Sequence, residues 1–379
     1  MKFQIYGKEF KLLVDRISGI VPKKALFNAL ESVKISAHGN SIEFSASDMT
    51  DFATITAYGN VYEDGIAWVD FNDLKKVLSI ENDIIITATD GKFDVRGEKK
   101  SYEIPYYNYE EFWPETPVVN TDMVLSTQDE KELLKHLSLL NSFRSVENSN
   151  EMLSAFYLDL PNSKLVSIDG KRIGVAKLKG SVSPDARGIS VDGSIYSALK
   201  SVIGKSKNSS NVKIYADDKY TVLCGEDYTL TVRNIDGKYF DYSKMMNCNN
   251  DNDFAYKFDV KEMSDISKEY SKVIGKNNAP MIFYNNNETV ATGIKYGSYR
   301  TSDTMENLTS EFGMDNEWYF GVNPRFIVDA CNALEDEATM SGYYSTKKPV
   351  FIADDTYEFL LLPININDSD IEFTKKQIA

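Results

Sequence analysis

The stretch "VNPRFIVDACNAL" at 322–334 reads as the end of a strand, a helix cap and an amphipathic helix. Asn323 is a good cap because its short side-chain oxygen can accept a first-turn N–H, and Pro324 fits the first helical position, where no N–H is needed. The same signature stands at 69–79, "VDFNDLKKVLS", and at 191–203, "VDGSIYSALKSVI". The caps Asp70, Asp192 and Asn323 lie 122 and then 131 residues apart, about a third of the chain each time. A second helix heads each third: "GKEFKLLVDRISGIV" at 7–21, "DEKELLKHLSLLNSF" at 129–143 and "DVKEMSDISKEYSKVI" at 259–274. Around these helices lie short alternating strands punctuated by turns, as in "ALESVKISAHGNSIEFSASD" and "NDIIITATDGKFDVRGEKKSYEIP". The expected fold class is α+β: three tandem copies of a domain with two helices and two small antiparallel sheets.

Composition places the boundaries. "YYNYEEFWPETPVVNTD" at 106–122 and "MMNCNNDNDFAY" at 245–256 read as linkers, which gives domains at 1–119, 120–248 and 249–367. The remainder, 368–379, reads as a loosely held tail. No apolar run approaches the ~18–20 residues of a membrane span. The three cysteines are isolated, and the N-terminus lacks a signal-peptide core, so a reducing cytoplasm is expected.

Acids outnumber bases 57 to 42, for a net charge of −15, and such a surface repels a phosphate backbone. Any nucleic acid would have to meet a local basic lining. Candidates lie on the helices: Lys8, Lys11, Arg16, Lys75, Lys76, Lys131, Lys135, Arg144, Lys200, Lys205, Lys207, Lys261, Lys268, Lys272 and Lys276, with only Arg325 on the sixth. Chemistry is harder to find. His38 and His136 have no partner at metal-ligand spacing, no phosphate loop or dinucleotide fingerprint occurs, and "NNDND" at 249–253 lacks the Gly and Glu of a calcium loop. No catalytic residue, metal or cofactor is expected. One further stretch, "SIDGKRIGVAKL" at 167–178, sets an Asp-Gly between two strands, which predicts a hairpin with a type I′ turn and the cations Lys171 and Arg172 at its tip.

The order of "MKF", "SGIVPKKALFNALESVKI", "SDMTDF", "SIDGKR", "FDYSK", "NPRFIVDACNAL" and "LLLPI", from Met1 to about Ile366, resembles the bacterial sliding clamps, the beta subunits of DNA polymerase III. The resemblance implies a head-to-tail homodimer, a ring of six similar units around double-stranded DNA, bound without sequence preference. Its partners would be the replicative DNA polymerase, the clamp loader and other proteins with a clamp-binding motif, with no membrane and no cofactor. It also implies a peptide pocket of Leu153, Ile168, Gly170, Lys171, Arg172, Ile173, Phe240, Lys244, Met245, Asn323, Phe326, Leu360, Leu361, Leu362, Pro363 and Ile364. There Lys171 and Arg172 would orient a partner's carbonyls or acids. Three departures would reshape that slot: Lys171 where His is common, Phe240 where Pro is usual, and Ala279 where a larger apolar group is usual. Lys23, Lys24, Arg144 and Lys200 would face DNA, and Tyr102 and Ile104 would face Val273 and Ile274 across the dimer joint. The tail's "DIEF" offers itself as a self-ligand of the pocket. Alternatives are a plasmid- or phage-type clamp serving another polymerase, an interaction scaffold without DNA, and a metal-using hydrolase built on scattered carboxylates.

Overall fold

The computed structural model describes the chain except residues 146–149, 205–209, 287–288 and 377–379, so Lys205 and Lys207 lie outside the described residues. Its helices are α1 (Gly7–Ile17), α2 (Phe71–Lys76), α3 (Glu130–Leu140), α4 (Ile195–Ile203), α5 (Tyr242–Met246), α6 (Val260–Ile274), α7 (Pro324–Cys331) and α8 (Asp368–Lys375). The six expected helices are all present, with frayed ends trimmed. Side-chain caps set the starts of α2, α6 and α7, whereas the expected cap Asp192 accepts the N–H of Ser194 at 2.9 Å and α4 begins after Ser194, whose side chain makes no cap bond. Asp70 accepts the N–H groups of Asn72 and Asp73, and Asn323 accepts that of Arg325. The two helices not foreseen are α5 and α8.

The described residues fall into two compact units. Unit 1 comprises Met1–Lys135, Leu160–Ser163 and Lys179–Asp236, and unit 2 comprises His136–Asp159, Lys164–Leu178 and Gly237–Ala379. Unit 1 holds a five-stranded antiparallel sheet in the order Asn60–Glu63, Lys2–Tyr6, Asp83–Thr89, Lys92–Arg96, Ser101–Pro105. Its second sheet has nine strands. There Tyr228–Arg233 pairs with Phe52–Tyr58, so strands from distant parts of the chain share one ladder. Unit 2 repeats the device: Arg172–Lys177 pairs with Tyr357–Leu361 inside a long sheet, beside a four-stranded sheet ordered Tyr299–Thr304, Thr289–Tyr296, Met281–Asn286, Trp318–Val322. Cores lie between sheets and helices. In unit 2, Phe254 stacks on Trp318 with centroids 4.1 Å apart, and α6 buries Met263, Ser267 and Tyr270.

The turns that lead into the two shared ladders have one design. Asp48 accepts the N–H groups of Thr50 and Asp51 at 2.9 and 2.8 Å, and Asp169 accepts those of Lys171 and Arg172 at 2.8 and 3.0 Å. Each turn places its second residue in the left-handed region, Met49 at φ 82° and Gly170 at φ 86°. The type I′ expectation at 169–170 is therefore corrected: only Gly170 has positive φ, and the aspartate closes a longer loop as an Asx turn.

Both linkers are partly ordered. Tyr107 forms a backbone bridge to Trp68, and Trp113 packs on that indole at 6.3 Å, so the first linker begins by covering a strand edge. The second contributes the end of α5 and the strand Phe254–Asp259. The tail is a correction too. Residues 368–375 form a helix capped by Asn367 and docked on the Thr289–Tyr296 and Met281–Asn286 strands. Ile371 and Thr374 are buried, Lys375 pairs with Glu317 at 2.7 Å, and Lys295 donates to Ser369 at 2.8 Å. A Cβ on Gly293 would lie 2.4 Å from Thr374 Oγ1, so the missing side chain is what lets the helix approach. The "DIEF" segment is spent on this sheet and is not a ligand of the hairpin site.

Asp51, 3% exposed at the first shared turn, has its carboxyl pushed up to about 7 by burial, which the Ser194 side chain and the Arg233 backbone only partly oppose. The folded state therefore holds a proton that the unfolded chain releases near pH 4, and stability falls as pH rises from about 4 to 7. Thermal melts should show Asp51→Asn more stable than the parent at pH 8, with the difference vanishing near pH 4. Equal melting temperatures at pH 8 would contradict this.

Candidate functional site

The hairpin of Lys164–Ile168 and Arg172–Lys177 joins the last strand so that Arg172 lies opposite Leu361 and Ile173 opposite Leu360. Its tip is fastened again by Leu362, whose N–H donates to Lys171 O at 2.9 Å. The apolar members expected here divide by burial. Ile168, Ile173, Leu360 and Leu361 are core, while Leu153, Phe240, Phe326, Pro363 and Ile364 are half-buried. Leu362 and Met245 are each 43% exposed, and Lys171 and Lys244 are exposed. The observed contacts tie Leu153, Gly170, Lys171, Arg172, Phe326, Leu361 and Leu362 together. Lys244, Met245 and Phe240 stand on or just before α5.

Arg172 departs from its expected role. It is 8% exposed, and its guanidinium is consumed internally: Nε donates to Asp169 at 2.8 Å, Nη1 to Asp329 at 2.6 Å and Nη2 to Ser142 O at 2.5 Å. The same group lies 4.6 Å from the centroid of Phe143 and 4.3 Å from that of Phe326. With three of its five N–H groups spent inside the fold, Arg172 holds the site's wall, while Lys171 is the cation of the pair that stands exposed. Asn323 is likewise internal at 1% exposure, capping α7 and donating to Asn278 at 2.9 Å. Sequence reading missed Asp329, although it follows Phe326 by three residues and so shares its helix face. It also missed an aromatic stack beside Phe240, in which Tyr157 and Tyr239 lie 4.5 Å apart and Tyr242 donates to Asp159 at 2.5 Å. Burial first, then the Asp159 carboxylate, pushes the Tyr242 hydroxyl well above its ordinary range.

Among the expected DNA-facing cations, Lys23 and Lys24 are exposed in the loop after α1. Lys200 is exposed on α4 beside a hollow of about 440 Å³ that Leu12, Asp15 and Arg16 also line. Arg144 is the exception: it donates to Asn141 and Ser154 O and lies over Phe156 at 4.8 Å, a structural engagement.

The architecture can be set against known proteins. No family model matches the chain. The beta sliding clamp of Chlamydia muridarum is 24% identical over 380 residues, spanning 97% of this chain and 100% of that protein. The DNA polymerase sliding clamp of Bacillus subtilis matches with a TM-score of 0.85 at 16% identity, over 97% of this chain and 100% of its own. The beta clamp of Helicobacter pylori, solved bound to a DNA ligase peptide, matches with a TM-score of 0.78 at 16% identity, over 96% of this chain and 100% of its own. The fold is that of a beta sliding clamp.

Among the edge strands of the four sheets, two stand in places that are paired elsewhere in the chain. Ser101–Pro105 pairs only with Lys92–Arg96, and Tyr299–Thr304 pairs only with Thr289–Tyr296. Tyr102 and Ile104, on the first, are half-buried, and Tyr102 Oη lies 2.6 Å from Ser79 Oγ. Of the residues expected opposite them, Val273 is half-buried but Ile274 is 1% exposed and belongs to its own unit's core. Among the described residues no group of three or more His, Cys, Asp or Glu could hold a metal, and no helix is long and apolar enough to cross a membrane. His38 is exposed and pairs with Asp64; His136 is buried with Nδ1 2.8 Å from Tyr357 Oη. Burial pushes the Cys331 thiol up to about 12, far from a reactive thiolate.

Removing the Arg172 side chain would strand Asp169 and Asp329, a loss of about 3–5 kcal/mol for a broken buried pair. Arg172→Ala should melt well below the parent, and Arg172→Lys should recover little, because an ammonium can neither fork between two carboxylates nor stack between two rings. Parent-like melting of Arg172→Lys would contradict the clamp role.

Proposed function

We propose that the protein is a processivity clamp. Two copies close a ring around duplex DNA, and the ring tethers a replicative polymerase without catalysing a reaction itself. In this reading the chain carries three clamp domains at 1–119, 120–248 and 249–367, works in the cytoplasm, and docks peptide segments of the polymerase, the clamp loader and other partners at the hairpin site.

What carries the reading is the equivalence between the free edges and the strands consumed inside the chain. Tyr299–Thr304 follows its hairpin as Phe52–Tyr58 and Arg172–Lys177 follow theirs. Ser101–Pro105 occupies the place of Tyr228–Arg233 and Tyr357–Leu361. Two such joints are made within the chain, and its first and last domains each keep one half of a third. A second copy supplies both missing halves, and a closed ring covers both of these edges. The cations Lys23, Lys24 and Lys200 supply loose, salt-sensitive contacts to phosphate, and retention comes from topology, so an acidic protein can serve.

At the docking site, Leu362, Met245, Leu153, Phe240 and Phe326 offer apolar surface, and Lys171 offers the charged rim. This is the composition of a peptide-anchor site. A fluorescent peptide from the tail of a bacterial replicative polymerase should bind saturably, and Leu362→Ala should weaken it about tenfold, near 1.4 kcal/mol. Leu362 is the residue to change because it is exposed and the fold does not depend on it. Failure of the intact protein to bind the peptide would contradict the docking reading.

A further inference from the structure

Hydrogen bonds fix which residues correspond between the repeats. The first N–H of α1, α3 and α6 donates to the carbonyl just before an equivalent strand: Gly7 to Asn82, Glu130 to Ser210 and Val260 to Asp336, at 2.9, 3.0 and 3.0 Å. Counting nine residues on gives Arg16, Leu139 and Glu269 as equivalents. The hairpins entering the joint strands close alike, by Gly97 N–H to Lys100 O, Gly225 N–H to Tyr228 O and Asp354 N–H to Tyr357 O. Their second loop residues are Lys99, Asp227 and Thr356.

In unit 1 two of these residues meet. Arg16 is 8% exposed and grips Asp227 with both Nη atoms at 2.6 and 2.7 Å, while Nε donates to Val202 O at 2.5 Å. At the second joint the pair is Leu139 and Thr356, without charge. At the free edges the signs are reversed. Glu269 is exposed and accepts from Tyr299 Oη at 3.1 Å, which holds it at the start of one free strand. Lys99 is exposed in the turn that leads into the other and makes no ion pair among the described residues.

We propose that Glu269 of one copy pairs with Lys99 of a second, as the charge-reversed counterpart of Arg16–Asp227. The inference rests on the ring reading. The reversal also makes edges selective, because an edge offered to the wrong joint would set Lys99 against Arg16 or Glu269 against Asp227. The first internal joint and the external joint are thereby kept from exchanging.

Sedimentation equilibrium of the full chain at low salt tests the pair. Glu269→Lys and Lys99→Glu should each raise the dimer dissociation constant about tenfold, and the double exchange should return it to within about threefold of the parent. Both single effects should shrink at about 1 M salt, where the Debye length falls to about 3 Å. Silent single variants, or a double variant no tighter than the singles, would overturn the pair. Thr301→Pro, in the free strand, serves as the arm for the ring itself. If it leaves the dimer intact, or if the parent is a monomer, the ring reading fails and the pair with it. If it abolishes the dimer while the charge variants are silent, only the pair is refuted.

Discussion

An antiparallel strand satisfies its backbone on both sides or leaves a row of donors and acceptors open, and this chain is organised around closing such rows. Inside unit 1 the row on Phe52–Tyr58 is closed by Tyr228–Arg233, and inside unit 2 the row on Arg172–Lys177 is closed by Tyr357–Leu361. Each closure brings together segments more than 150 residues apart, and the helices, turns and charged clamps fall around it. Ser101–Pro105 and Tyr299–Thr304 inherit the same geometry without a partner in the chain.

Around the two closures, one turn design carries opposite chemistry. At the first, the residue leading into the joint strand is Asp51, buried and kept protonated up to about pH 7 by its surroundings. At the second it is Arg172, buried between two carboxylates and two rings. The first joint has its own arginine elsewhere, Arg16 on α1, bound to Asp227. Each joint thus contains one desolvated guanidinium with carboxylate partners. Such a group is costly to bury alone and well held once paired.

Much of this was legible in the sequence because the decisive signals are local. The caps Asp70 and Asn323, the helices they start and the hairpin at 167–178 each announce themselves within a dozen residues. The residues of the candidate docking site came from the resemblance to the sliding clamps, not from any local signal. What stayed hidden depends on distance or on a single atom of clearance. The Asp329 partner of Arg172 is 157 residues away, so a buried clamp read as a solvent-facing charge. The tail read as loose because its helix needs the hollow at Gly293, and nothing in "INDSDIEFTKK" points to that residue. The positive φ of Met49 was equally silent, since a methionine does not advertise a left-handed turn.

The central claim is that two internal joints and their intermolecular copy close a ring. Electron microscopy of the purified full chain, at concentrations where it is dimeric, tests it most directly. The account predicts closed rings of two copies with a central hole wide enough for duplex DNA. Compact dimers without a hole, or monomers alone, would contradict it.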